Sequence, residues 1–203
     1  MQTKQSQSSS QFFLQWVLAT FLGVIVGFIV GVILEFTILF SLPLPESFFT
    51  IFLLVMMGAS MGWFQSLVLR SKITPYRQWV LITSIGMLVG TTISTLIFDL
   101  TENTSLIFFF STIGVTLGIA QWFVLRPHAS QSSLWIIANV LGMLAGATWN
   151  LSVKAYDATD EFQAFIFFLF VILRVWIVYS ITTGIVLTWL LRKNPEREYQ
   201  QVE

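Results

Sequence analysis

The sequence predicts an all-α membrane protein with six transmembrane helices, arranged as three tandem helical hairpins with pseudo-threefold symmetry about the membrane normal. Two observations lead to this prediction. The chain of 203 residues is 56% hydrophobic and only 10% charged, whereas soluble domains contain about 25% charged residues. Its apolar residues also fall into six runs separated by short polar connections, which is typical of membrane-spanning helices.

Each apolar run is long enough to cross a hydrocarbon core of about 30 Å as a helix. We place the spans, with boundaries defined to within a few residues, at about Phe12–Phe40, Phe48–Leu69, Trp79–Phe98, Leu106–Leu125, Leu134–Val153 and Phe162–Leu191. A polar N-terminal tail, residues 1–11, is expected to be disordered. The transmembrane domain covers residues 12–192, with repeats at about 12–70, 77–126 and 133–192, and a charged C-terminal tail covers residues 193–203.

Two motifs alternate along the chain and define the repeat. In the odd helices a tryptophan stands seven residues before a Gly-x-x-x-Gly pair, and in the even helices a small-x-x-x-Gly pair stands eight residues before an arginine. Spacing of four places both small residues on one helix face, where two backbones approach closely. The tryptophans and arginines are Trp16, Trp79, Trp135, Arg70, Arg126 and Arg192.

The repeated arginines and tryptophans are residue types that are typical of a membrane–water interface. Arginine at the C-terminal end of a helix suits the helix dipole and reaches lipid headgroups, and tryptophan prefers the interfacial depth. We therefore predict that the three arginines and the three tryptophans are interfacial anchors.

The distribution of basic residues predicts the orientation. One face carries eight basic residues, whereas the opposite face carries Lys154 alone. Both termini are therefore expected on the cytoplasmic side of a bacterial plasma membrane, with the thylakoid membrane as the alternative. The eight basic residues are Lys4, Arg70, Lys72, Arg77, Arg126, Arg192, Lys193 and Arg197.

Five polar residues recur at equivalent depths in the half of the membrane nearer the tryptophans. Gln65 and Gln121 each lie three residues after the last glycine of their helix, and Thr20, Thr83 and Asn139 each lie four residues after a repeat tryptophan. Buried polar groups in a membrane need partners. Mutual hydrogen bonding between helices is the favoured interpretation of this polar inner belt, and a polar pocket for a small ligand is the alternative.

Two ionisable residues interrupt the apolar runs, Glu35 and Arg174. Such residues are costly within a membrane and are functional candidates. Counted at 1.5 Å per residue from Trp16 and Arg192, both lie roughly 27–28 Å from the inner interface. We predict an ion pair between them, formed by neighbouring first and sixth helices. The alternative is that each is a charge at the membrane rim that reaches towards water.

The sequence lacks the residue patterns of an enzyme. The chain has no cysteine and a formal net charge of zero, and it contains neither a phosphate-binding loop nor a nucleophile elbow. We therefore expect no catalytic activity, no cofactor, no metal and no nucleic acid. The expected function is a structural, assembly or interaction component that contacts lipid and a membrane-protein partner. The alternative is a small-solute transporter or a membrane-embedded substrate-binding subunit.

One stretch of the repeat resembles a known pattern. Gly114-Val-Thr-Leu-Gly118-Ile-Ala-Gln121-Trp122-Phe-Val-Leu-Arg126, followed by Trp135 and Gly142-Met-Leu-Ala-Gly146, is similar to a motif of uncharacterised multi-pass membrane proteins of bacteria, notably cyanobacteria. Gly58 to Arg70 is a second copy in which Ser66 replaces the tryptophan, and the third copy has Leu187 in place of glutamine. The resemblance implies a bacterial multi-pass membrane protein and no particular activity.

Overall fold

The structure, a computed structural model, describes residues 8–39, 42, 44–74, 76–101, 106–151 and 161–192. These residues form six α-helices and no strand. The first helix continues directly into a short π-helix, Glu35–Leu39. The α-helices are α1 Ser9–Leu34, α2 Glu46–Leu69, α3 Arg77–Thr101, α4 Leu106–Leu125, α5 Leu134–Leu151 and α6 Glu161–Arg192.

The all-helical prediction is confirmed, and five of the helices are long and apolar enough to cross a membrane. This count rests on length and composition, and α5 contributes a shorter apolar segment, Leu134–Thr148. The first helix begins three residues before Phe12, the approximate start predicted for the first span. Helix α1 begins at Ser9 because the Ser8 side chain accepts a hydrogen bond from the Gln11 backbone while the Gln11 side chain accepts one from the Ser8 backbone. This capping box brings residues 9–11 into the helix, whereas they were expected in a disordered tail.

Each helix packs against the next in the chain, and α6 packs against α1. The described helices therefore form a closed ring. Glycines permit the close approach at these seams. A Cβ atom added to Gly27 of α1 would lie 2.5 Å from the Met57 Cα of α2, and one added to Gly146 of α5 would lie 2.6 Å from the Val175 Cα of α6. The backbones of the two helices are thus in direct contact at each of these glycines.

The outer surface of this ring is apolar. Leu81, Trp63 and Ile185, for example, are 62%, 59% and 58% exposed. The interior, in contrast, contains a group of polar side chains that are fully buried. An apolar perimeter around a partly polar interior is compatible with a multi-pass membrane protein, because lipid solvates apolar side chains whereas buried polar groups must bond to one another.

Candidate functional site at the centre of the bundle

Three tryptophans from three different helices meet at one end of the ring. Trp16, Trp79 and Trp135 are fully buried, and each pair of their rings has a centroid separation of 5.9 Å in an edge-to-face arrangement. Such pairs are worth about 0.5–1.5 kcal/mol each beyond their buried area. We call this group the tryptophan cluster. The sequence-based interpretation of these residues as interfacial anchors is wrong, because fully buried rings cannot contact headgroups.

The two glutamines of the predicted polar inner belt each link three helices. Gln65 of α2 donates from Nε2 to Thr20 Oγ1 of α1 at 2.9 Å, and its Oε1 accepts from Trp79 Nε1 of α3 at 2.9 Å. Gln121 of α4 donates to Thr83 Oγ1 of α3 at 3.0 Å and accepts from Trp135 Nε1 of α5 at 3.0 Å.

The third repeat forms the corresponding bonds with different residues. Leu187 occupies the glutamine position and has no polar group, so two other residues of α6 act in its place. Tyr179 donates from its hydroxyl to Asn139 Oδ1 of α5 at 2.8 Å. Thr183 Oγ1 accepts from Trp16 Nε1 of α1 at 3.2 Å. The two functions of one glutamine are thus divided between a tyrosine and a threonine.

Together these contacts place one side-chain hydrogen bond at each of the six seams of the ring. We call this set the hydrogen-bonded ring. Its members are Trp16, Thr20, Gln65, Trp79, Thr83, Gln121, Trp135, Asn139, Tyr179 and Thr183. All ten side chains are fully buried. Of these, the sequence analysis missed Tyr179 and Thr183 because they stand outside the repeated positions.

Next to the hydrogen-bonded ring, the core is apolar. Val24, Met87 and Met143 each lie eight residues after a tryptophan of the cluster, and all three are buried together with Met57 and Met61. The observed hydrogen bonds match the favoured interpretation of the polar inner belt, which was mutual hydrogen bonding between helices. It leaves both ends of each glutamine amide occupied by the protein itself.

The repeat arginines lie exposed at the same end of the bundle as the tryptophan cluster, which we call the tryptophan end. The Arg126 guanidinium lies 5.6 Å from the Trp122 ring centroid and 5.1 Å from that of Phe123. Arg192 of α6 donates from Nε to Ser9 Oγ of α1. The Arg126 guanidinium, which lies over two aromatic rings just after the end of α4, fits the membrane-interface role predicted for the arginines.

Glu35 and Arg174 are both half-buried near the opposite end of the bundle. Glu35 begins the π-helix. It lies eleven residues, or about three helical turns, after the buried Val24, and therefore lies on the same inward face of α1. Arg174 lies seven residues before Ile181 and eleven before Ile185, which are both exposed, and so lies on the outward face of α6. This register favours the rim-charge alternative for Arg174, and the predicted ion pair stays a prediction.

The described part of the chain brings no three acidic, histidine or cysteine side chains together in a group that could hold a metal. No protein-family model, curated protein or solved structure matches this chain. The geometry of the bundle is therefore the basis for a functional proposal.

Proposed function

We propose that this chain is a non-catalytic integral membrane protein that acts as a structural, assembly or interaction component. The hydrogen-bonded ring is the observation that carries this proposal. The buried amide, hydroxyl and indole groups of the tryptophan end hold the six helices together, and they are already bonded to one another. A solute that used them would have to break bonds between helices, and each such bond contributes about 0.6 kcal/mol on average.

The proposed body has six spans and pseudo-threefold symmetry about the membrane normal. The equal 5.9 Å separations within the tryptophan cluster support it, as do the matching bonds of Gln65 and Gln121. Helix α5 is the shortest, and its 18 residues extend about 27 Å. A modest local thinning of the bilayer is enough for such a helix to span it.

The orientation follows from the basic residues. The exposed arginines of the tryptophan end support a cytoplasmic location of that end by the positive-inside rule. Both termini are then cytoplasmic, in a bacterial plasma membrane or, as the alternative, a thylakoid membrane. Several basic residues of the rule, including Lys4, Lys154 and Arg197, lie outside the described residues.

The partner is proposed to be another membrane protein in contact with the lipid-exposed perimeter. The connection between α2 and α3 spans residues 70–76 and that between α4 and α5 spans residues 126–133, so little chain is available there to form a surface outside the membrane. The perimeter, in contrast, presents large exposed side chains such as Trp63 and Phe123. Aromatic side chains of this kind are frequent energetic anchors of interfaces.

Native mass spectrometry of the chain, extracted from its own membrane in mild detergent, tests the proposal. We expect a stoichiometric complex with a second membrane protein and no retained small molecule. A lone chain that retains a small molecule would instead support the alternative of a transporter or a substrate-binding subunit. The Gln121→Leu variant is the matched control, because it would lose a ligand bound at the hydrogen-bonded ring and would keep one bound elsewhere.

A further inference from the structure

The chain contains one histidine, His128, and its ring joins two connections at the tryptophan end of the bundle. His128 belongs to the connection between α4 and α5, residues 126–133. Its Nε2 atom lies 3.0 Å from the backbone oxygen of Thr74, which belongs to the connection between α2 and α3, residues 70–76. Its Nδ1 atom lies 3.0 Å from the backbone oxygen of Val124 in the last turn of α4. Each ring nitrogen therefore faces a carbonyl oxygen.

A neutral imidazole ring cannot donate to both of these oxygens. A carbonyl oxygen only accepts hydrogen bonds, and a neutral ring has one N–H group and one acceptor nitrogen, whereas the imidazolium form has two N–H groups. With a neutral ring, one of the two contacts would place a nitrogen lone pair against an oxygen lone pair at 3.0 Å. Only the protonated ring bonds to both oxygens, so the contact between the connections depends on the second proton.

The position of His128 is occupied by Lys72 in the connection between α2 and α3. The Lys72 amide donates to the backbone oxygen of Leu69, the last residue of α2, at 2.8 Å. The His128 amide donates in the same way to Leu125, the last residue of α4, also at 2.8 Å. The Lys72 side chain is exposed whereas that of His128 is half-buried. The turn itself therefore accepts a lysine, and the contact between the connections comes from the histidine ring.

The electrostatic environment of the ring is set by basic side chains and by the end of α4. The charged or titratable side chains of the two connections and of the adjoining start of α3 are Arg70, Lys72, Tyr76, Arg77 and Arg126. Helices α4 and α5 contain no charged residue. The C-terminal end of a helix carries a partial negative charge that favours a cation. The attraction for a protonated ring therefore comes from the two carbonyl oxygens and the end of α4, not from a carboxylate.

We propose that His128 is a proton-controlled bridge that closes the α3–α4 hairpin at its open, tryptophan end. The protonated ring bonds to both oxygens and holds the two connections together. When the pH rises and one proton leaves, the ring keeps its bond to Val124, four residues earlier in the chain, because Thr74 is exposed and water takes the place of the ring there. The bridge is therefore complete at low pH and is lost as the pH rises. It goes beyond the proposed function and does not depend on a partner protein.

The single histidine makes the bridge directly observable by nuclear magnetic resonance. The full chain, labelled with ¹⁵N in its imidazole ring and placed in nanodiscs, gives one pair of ring-nitrogen signals, whose chemical shifts distinguish a protonated nitrogen from an unprotonated one. We expect both nitrogens of His128 to be protonated at about pH 5 and Nδ1 alone at about pH 8, since histidine ordinarily titrates in this range. A neutral ring at the lower pH, or a proton on Nε2 instead of Nδ1 at the higher pH, would overturn the proposal.

Hydrogen exchange followed by mass spectrometry tests the release of the connection between α2 and α3. The amides of Lys72 and Ile73 both donate to Leu69, so they exchange when this connection opens. Relative to the unfolded chain at the same pH, we expect their exchange to be about three to ten times faster at the higher pH, as the loss of one hydrogen bond to a charged group implies. His128→Lys is the matched control, because it carries the residue of the equivalent position and stays charged, and its exchange should not change. A pH dependence that survives His128→Lys, or none in the unaltered chain, would overturn the switch.

Discussion

Replacement of Gln121 by leucine tests the hydrogen-bonded ring most directly. Leucine is the residue that the third repeat already carries at the equivalent position, Leu187, where it is fully buried. The side chain is therefore compatible with this environment in shape. The change removes the bond from Gln121 Nε2 to Thr83 Oγ1 and the bond to Gln121 Oε1 from Trp135 Nε1, and it leaves the Trp135 N–H buried without an acceptor.

The expected loss of stability follows from these two effects. Hydrogen bonds between membrane helices contribute about 0.6 kcal/mol on average and up to about 1.7 kcal/mol, so two bonds account for about 1–3 kcal/mol. The orphaned indole N–H adds a desolvation penalty of about 1–3 kcal/mol. We therefore expect Gln121→Leu to lower the free energy of unfolding by about 2–6 kcal/mol. Thr83→Val, which removes one bond and orphans one amide group, should lower it by less.

Reversible unfolding in a titration of sodium dodecyl sulfate against mild detergent, followed by circular dichroism, measures these changes. The double variant Thr83→Val/Gln121→Leu closes a double-mutant cycle. Its loss should be smaller than the sum of the single losses, because both single changes break the same bond. A loss below about 0.5 kcal/mol for Gln121→Leu, or strict additivity in the cycle, would refute the role of the ring in holding the helices together.

The remaining predictions concern the seams and the charges. Gly146→Ala should destabilise the bundle by about 1–3 kcal/mol, because the added Cβ would lie 2.6 Å from the Val175 Cα. Gly184→Ala should destabilise it less, since the atoms nearest to its added Cβ are aromatic side-chain atoms at 3.0–3.1 Å. The same detergent titration compares the two variants, and equal losses of stability would contradict the seam geometry. Exchange of the charges in a Glu35→Arg/Arg174→Glu double variant tests the predicted ion pair. The outward position of Arg174 on α6, in register with the exposed Ile181 and Ile185, favours the rim-charge alternative, so we expect no rescue of the thermal stability that either single change removes. Full rescue would instead establish the predicted ion pair.

Much of the interior was predictable from the sequence because the repeat marks equivalent positions. Thr20, Thr83 and Asn139 stand at one repeat position, and all three are fully buried members of the hydrogen-bonded ring. Their burial follows from composition and spacing, since a polar residue in an apolar helix avoids lipid. The glutamines were likewise recognisable, although their simultaneous contact with two neighbouring helices was not.

The face on which the tryptophans lie could not be inferred from depth. A tryptophan near a helix end can place its indole ring among the lipid headgroups or in the core of the helix bundle. The prediction of interfacial anchors assumed the first of these positions. A joint reading of Trp79 and Gln65 could have corrected it. Each glutamine lies fourteen residues before a tryptophan of the next helix. A buried indole N–H needs a hydrogen-bond acceptor, and the side-chain oxygen of a glutamine is one.

The third repeat departs from the others where the ring must close. Helices α6 and α1 are joined by no connecting loop, so their association carries a larger loop-closure cost than that of consecutive helices. At this seam Gly184 meets the rings of Trp16 and Phe13, whereas Gly118 in the preceding repeat approaches the Ile136 Cα. Packing by side chains tolerates small changes in helix separation better than direct backbone contact does. The presence of Leu187 in place of a glutamine is consistent with this side-chain packing. A glutamine bonded to both neighbouring helices requires fixed separations among three helices. The bond from Trp16 to Thr183 requires only that two helices, α1 and α6, are in contact.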